Sequence, residues 1–131
     1  MLTQRFYISG PMTGLPLKNV AAFNLAAERL TDLGYDYVNP HDLPEIPHEG
    51  YDSGYHEMLR RDLKLLLDCD GLVVLPGWET SYGATREISL AASLELPIFR
   101  FSTFGEGFVL VDANILVDRK FTSLIPSYAW Q

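Results

Sequence analysis

The segment Gly71-Leu72-Val73-Val74-Leu75 constrains this chain more than any other. Five consecutive apolar residues closed by Pro76-Gly77 are too few for a helix and have no polar alternate, so they read as a strand buried on both faces. A parallel sheet covered by helices on either side supplies that burial. Helical periodicity stands on both sides of it in sequence, over residues 54–68 and 81–94, with Thr80 or Ser81 as the N-cap of the later helix. Upstream, Arg5-Phe6-Tyr7-Ile8 is a β-rich run that stops at Ser9-Gly10-Pro11-Met12-Thr13-Gly14, a loop. Residues 18–33 place Val20, Phe23, Ala27 and Leu30 at helical spacing, Gly34 reads as the C-terminal cap, and residues 35–38 form a short strand before Asn39-Pro40. Residues 97–101 give a fourth strand, and 108–111 and 115–117 are candidates for a fifth or for a subunit contact. Alternating strands and helices imply right-handed crossovers and a small open α/β sandwich with a parallel sheet.

The chain's 131 residues suit one domain over 1–131. Ten basic against 17 acidic residues leave a net charge of −7, without the Lys and Arg surplus by which proteins neutralise nucleic-acid phosphates or bind anionic membranes. The expected partner is a small molecule, with no nucleic-acid polymer and no membrane. One cysteine, Cys69, excludes an intramolecular disulfide and a cysteine-built zinc site, and reads as a core residue. No apolar run approaches the roughly 20 residues of a membrane helix. The first residues lead straight into a strand without a signal-peptide pattern, so a cytoplasmic protein is expected.

Two carboxylates stand out. At about 100° per residue, Met58, Leu59, Leu63, Leu65, Leu66 and Leu67 define one apolar arc of the second helix, and Asp62 falls inside it, while Arg60, Arg61 and Lys64 point largely elsewhere. In the third helix Glu87 lies inside the stripe of Ala84, Ile88, Ala91, Ala92 and Leu94. Desolvating an unpaired carboxylate costs several kcal/mol, so a buried acid is either paired, as Asp62 would be with a nearby Arg, or put to chemical use. Two such acids on helices flanking one parallel strand favour function. Ligands of open α/β sheets bind beyond the carboxyl ends of the strands, which the loops 9–14, 39–41 and 77–81 leave. Gly77, Gly83 and the Thr80 and Ser81 hydroxyls precede or open a helix, where free N–H groups favour an anion.

Tyr7-Ile8-Ser9-Gly10-Pro11-Met12 resembles the opening of the nucleoside 2-deoxyribosyltransferase-like superfamily, which includes the 2′-deoxynucleoside 5′-phosphate N-hydrolases. Gly83-Ala84-Thr85-Arg86-Glu87-Ile88-Ser89-Leu90-Ala91 is similar to its helix of glycine, nucleophilic glutamate and small residues, and Asp62 with Asp70 matches its spacing. The likeness runs over residues 5–101 and is nearest to a branch common in phages and prophages. It implies a flavodoxin-like, Rossmann-like three-layer sandwich with strand order 2-1-3-4-5, no cofactor, and a homodimer or larger homo-oligomer. Glu87 would attack the anomeric carbon and Asp62 would orient the sugar or assist proton transfer to the departing base. Ser9 and Gly10 would line the base and sugar pocket, beside Tyr7, Pro11 and Met12, and Ser81 and Gly83 would hold the 5′ end. Thr85, Arg86 and Ile88-Ser89 depart from the family's usual residues. Asp112 or Asn114 is the candidate for a segment lent by a neighbouring subunit.

Remaining residues carry weaker signals. His41, His48 and His56 are spaced too irregularly for a metal site, which requires ligands meeting at one point. His41 follows the second strand and is a candidate for the edge of the base pocket, and Trp78 for stacking on a base or packing at the rim. The sequence therefore predicts cleavage or transfer at the N-glycosidic bond of a (deoxy)nucleoside or its 5′-monophosphate. The rivals are a nucleotide-binding module without turnover and a ribonucleotide phosphoribohydrolase, whose Pro-Gly-Gly-Gly-Thr motif Pro76-Gly77-Trp78-Glu79-Thr80 echoes in part.

Overall fold

Period-2 alternation along two central strands divides the core into two layers. The structure, a computed structural model, describes residues 3–102 and 107–111. Its elements are β1 (Arg5–Ser9), α1 (Val20–Asp32), β2 (Asp36–Val38), α2 (Ser53–Leu67), β3 (Gly71–Val74), α3 (Tyr82–Ser93), β4 (Ile98–Ser102) and β5 (Gly107–Val111). Phe6 and Ile8 of β1, with Val73 and Leu75, pack against Phe23, Ala26, Ala27 and Leu30 of α1. Tyr7 of β1, with Leu72 and Val74 of β3, packs on the opposite face against Leu66 of α2 and Ala84, Ile88 and Ala91 of α3. The result is the expected three-layer sandwich, with the short 3-10 helical turns Pro40–Asp42 and Trp78–Thr80 at the strand exits.

The sheet order is β2-β1-β3-β4-β5, as the resemblance implies. β1, β2, β3 and β4 pair in parallel, whereas β5 runs antiparallel to β4. The sheet is mostly parallel, as expected, with its antiparallel strand at this edge. Only residues 103–106 separate β4 from β5, and a parallel return needs a crossover of about a dozen residues or more. Residues 112, 114 and 115–117, and with them the segment expected to be lent between subunits, lie outside the described residues. Among the described residues no helix is long and apolar enough to cross a membrane.

Local signals set the helix ends. Ser81 caps α3 by accepting from the Ala84 N–H at 3.1 Å. Asp52 caps α2 through the Tyr55 N–H at 3.0 Å and also accepts from the Glu49 N–H. The apolar arc of α2 is narrower than its periodicity suggests. Tyr55, Asp62 and Leu66 are its buried residues, while Leu67 is 52% exposed.

Candidate active site

The site is assembled where β1 ends. Ser9 is the last residue of β1, and with Tyr7 two positions earlier it faces the α2–α3 layer. From α3, Glu87 reaches down to both: the Tyr7 hydroxyl donates to Oε2, and the Ser9 hydroxyl donates to Oε1 at 2.8 Å. Ala84 and Ala91, one turn to either side of Glu87, are small enough to let its helix lie close to the sheet. Glu87 is 6% exposed. Burial pushes its carboxyl up to about 8, against the two hydrogen bonds that favour the charged form, and the Asp62 charge pushes the same way. Tyr7 is held well above its ordinary range by burial first and by the charges of Glu87 and Asp62 next.

Asp62, 7% exposed, is the second buried acid. Burial raises its carboxyl, opposed by Arg61, whose Nε donates to Oδ1 at 3.1 Å. Arg61 does not point away as the helical wheel suggests. Its guanidinium folds back beside Asp62 and donates to the Pro44 carbonyl at 2.5 Å, tying the long loop after β2 to α2. Asp62 thus has the Arg partner of the structural alternative, while its charge reaches both Glu87 and Tyr7. Asp70, the other acid of the matched spacing, accepts from the Arg5 N–H at 2.8 Å and anchors the start of β1.

The loops after β1 and β3 meet beside this pair. A Cβ on Gly10 would lie 2.7 Å from the Leu75 Cβ, closer than side chains pack, and one on Gly77 would lie 3.4 Å from Pro11. Gly77 also has φ +85°, a conformation that favours glycine. Pro11 is buried, and Met12 packs towards the α1 layer. The structure thus brings Tyr7, Ser9, Asp62 and Glu87 into one electrostatic group and gathers Gly10, Pro11 and Gly77 at the adjoining strand ends.

His41 and Trp78 both have partners within the fold. His41 donates from Nε2 to the Lys18 carbonyl at 2.9 Å and packs edge-on against Phe23, on the α1 side. Trp78 is 6% exposed in the apolar cluster with Tyr7 and Ala84, because the turn Trp78–Thr80 swings its ring inward rather than onto a rim.

Sequence reasoning passed over an aromatic group at the start of α3. Tyr55 contacts Tyr51, Tyr82, His48 and His56, and the Arg86 guanidinium lies 3.3 Å over the Tyr82 ring. Spacing puts Tyr55 on the buried face of α2 without marking it out from core residues. Tyr55, Asp62 and Leu66 fall at spacings of seven and four, on one face of α2.

The family described as "Domain of unknown function (DUF4406)" matches residues 4–100. The chain belongs to that family. The DUF4406 chain is similar in structure to the 2-deoxyribosyltransferase of the psychrotolerant bacterium Bacillus psychrosaccharolyticus, with a TM-score of 0.59 at 20% identity, covering 92% of this chain and 95% of that one. It is also similar to a conserved protein from Enterococcus faecalis V583, with a TM-score of 0.54 at 21% identity over 79% of this chain and 66% of that one. None of the curated proteins matches its sequence. These likenesses establish a nucleoside 2-deoxyribosyltransferase-like fold.

Proposed function

We propose that this chain acts on the N-glycosidic bond of a nucleoside or deoxynucleoside, or of its 5′-monophosphate, with Glu87 as the nucleophile. The observation that carries this reading is a buried carboxyl gripped by two hydroxyls from the carboxyl end of β1. That end of a strand is where open α/β sheets bind ligands. Similarity of fold to a 2-deoxyribosyltransferase adds support.

In the reaction, an ionised Glu87 oxygen forms a bond to C1′ as the C1′–N bond breaks, and its electron pair leaves with the base. Asp62 orients the sugar or hands a proton to the departing base. Water or a second base then displaces Glu87 from C1′, giving hydrolysis or transfer from the same glycosyl ester. The Tyr7 and Ser9 hydroxyls hold the carboxyl in its attacking position, and Ser81 and Gly83 receive the 5′ end where α3 opens.

One observation favours a second reading, a nucleotide-binding module without turnover. Burial keeps most of the Glu87 population neutral near pH 7, and a neutral carboxyl is a poor nucleophile.

Incubation with the four 2′-deoxynucleoside 5′-monophosphates and the matching nucleosides, followed by chromatography for free base, separates the two. Wild type is expected to release base, and Glu87→Gln to lose at least about a thousandfold in rate. Undiminished release by the variant removes Glu87 from the chemistry. Ligand-induced thermal stabilisation in both proteins, without release in either, establishes the binding module.

A further inference from the structure

Gly83 occupies the second position of α3, a helical site where glycine is less favoured than alanine. Its backbone gives no reason for glycine, since its φ is not among the positive ones. What a Cβ there would meet is one atom: the Tyr55 hydroxyl, 3.1 Å away, tighter than ordinary packing allows. The glycine therefore keeps the space around that hydroxyl clear.

The hydroxyl is held with little freedom. Tyr55 is 7% exposed, and its ring is edged by Tyr51, His48 and Tyr82. Its N–H belongs to the α2 cap, yet among the described residues no group hydrogen-bonds its hydroxyl. Among the described residues no buried side-chain oxygen or nitrogen lacks a partner, so this hydroxyl reaches the surface, where it donates to water or to a ligand that takes the water's place. Burial pushes it up to about 12, so at neutral pH it carries a proton to donate. Gly83 and Glu87 are four apart on α3 and share one face, so this donor overlooks the same side of the helix as the candidate nucleophile. Glu87 and Arg86 both act on it electrostatically.

We propose that the Tyr55 hydroxyl is a specificity-determining contact of the Glu87 site, donating a hydrogen bond to a substrate oxygen on the sugar and 5′ side. This rests on the glycosidic reading above, and it adds a residue which neither periodicity nor family resemblance selects. Arg86, stacked on Tyr82 and without a carboxylate partner among the described residues, stands at the same rim and favours an oxygen that carries negative charge.

The test is Tyr55→Phe, which keeps the ring and its aromatic contacts while removing the donor. Steady-state kinetics of base release would be measured with 2′-deoxynucleoside 5′-monophosphates and with the matching nucleosides, alongside calorimetric titration of the same compounds. If the contacted oxygen belongs to phosphate, KM and Kd rise at least about tenfold for the monophosphates alone, with kcat within about threefold. If it is a sugar oxygen, both series weaken about fivefold. Either result, with the melting temperature unchanged, supports the contact. Unchanged KM and Kd in both series overturn it. Should wild type bind these compounds without releasing base, weaker binding by Tyr55→Phe still establishes the contact while the glycosidic reading falls. Absence of both binding and release in folded wild type overturns both.

Discussion

Two hydroxyls on one carboxyl oppose what burial does to it. Donation from Tyr7 and Ser9 stabilises the charged form of Glu87, and the surrounding apolar layer and Asp62 destabilise it more. Removing a donor should therefore push the carboxyl higher still. Tyr7→Phe is expected to move the rising limb of the pH–rate profile for base release upward by about one pH unit, the equivalent of one hydrogen bond. A profile that keeps its midpoint would show that the Tyr7 hydroxyl only fills space. Both acids were legible in the sequence because a charge inside an apolar arc violates helical patterning, which needs no tertiary information. Tyr55 was not legible, since an aromatic ring on an apolar stripe fits the core and only packing reveals a free hydroxyl facing Gly83. Trp78 misled in the opposite way: its sequence neighbours are loop residues, while its ring is core.

Helix ends show how far local chemistry reaches. At the end of α1 the Tyr35 N–H donates to the Leu30 carbonyl and the Gly34 N–H to that of Thr31, with Gly34 at φ +86°. The end of α3 repeats this pattern, from Leu96 to Ala91 and from Glu95 to Ala92, but places Glu95 at φ +56°. A side chain in that conformation is strained by roughly 1 kcal/mol relative to glycine. Glu95→Gly should thus raise the melting temperature by about 3 °C despite the greater freedom it gives the unfolded chain, and Gly34→Ala should lower it by a similar amount. Thermal unfolding checks both, and a fall for Glu95→Gly would mean that the Glu95 side chain contributes more than its backbone loses. Sequence pattern located the three α-helices and the strands β1 to β4 to within two residues, and left 108–111 as a candidate for the fifth. The direction of β5 was hidden because an apolar run encodes burial without polarity; the spacing to β4 carried that information instead.

On the scale of the whole molecule, stability should fall as pH rises through neutrality, opposite to the effect of salt-bridged carboxylates. A carboxyl whose folded value is about 8, against an ordinary 4.5, binds more protons in the folded state than in the unfolded one between those limits. The stability it contributes is therefore complete below about pH 4.5 and is lost progressively up to about pH 8, with a slope of at most about 1.4 kcal/mol per pH unit. Asp62, also raised by burial, acts in the same direction. Asp36 and Asp52, lowered by hydrogen bonds, act oppositely, but they are exposed and titrate at the acid end, so they have little influence above pH 5. The net charge of −7 adds self-repulsion that eases as pH approaches the pI of about 4.8. Melting temperatures from pH 5 to 9 should therefore decline in wild type and decline less in Glu87→Gln, whose amide does not ionise, so that the variant gains on wild type above pH 7. Parallel curves would mean that Glu87 titrates as an ordinary exposed acid. In that case its carboxyl is open to water, and the dry, hydroxyl-held nucleophile on which the glycosidic reading depends does not exist.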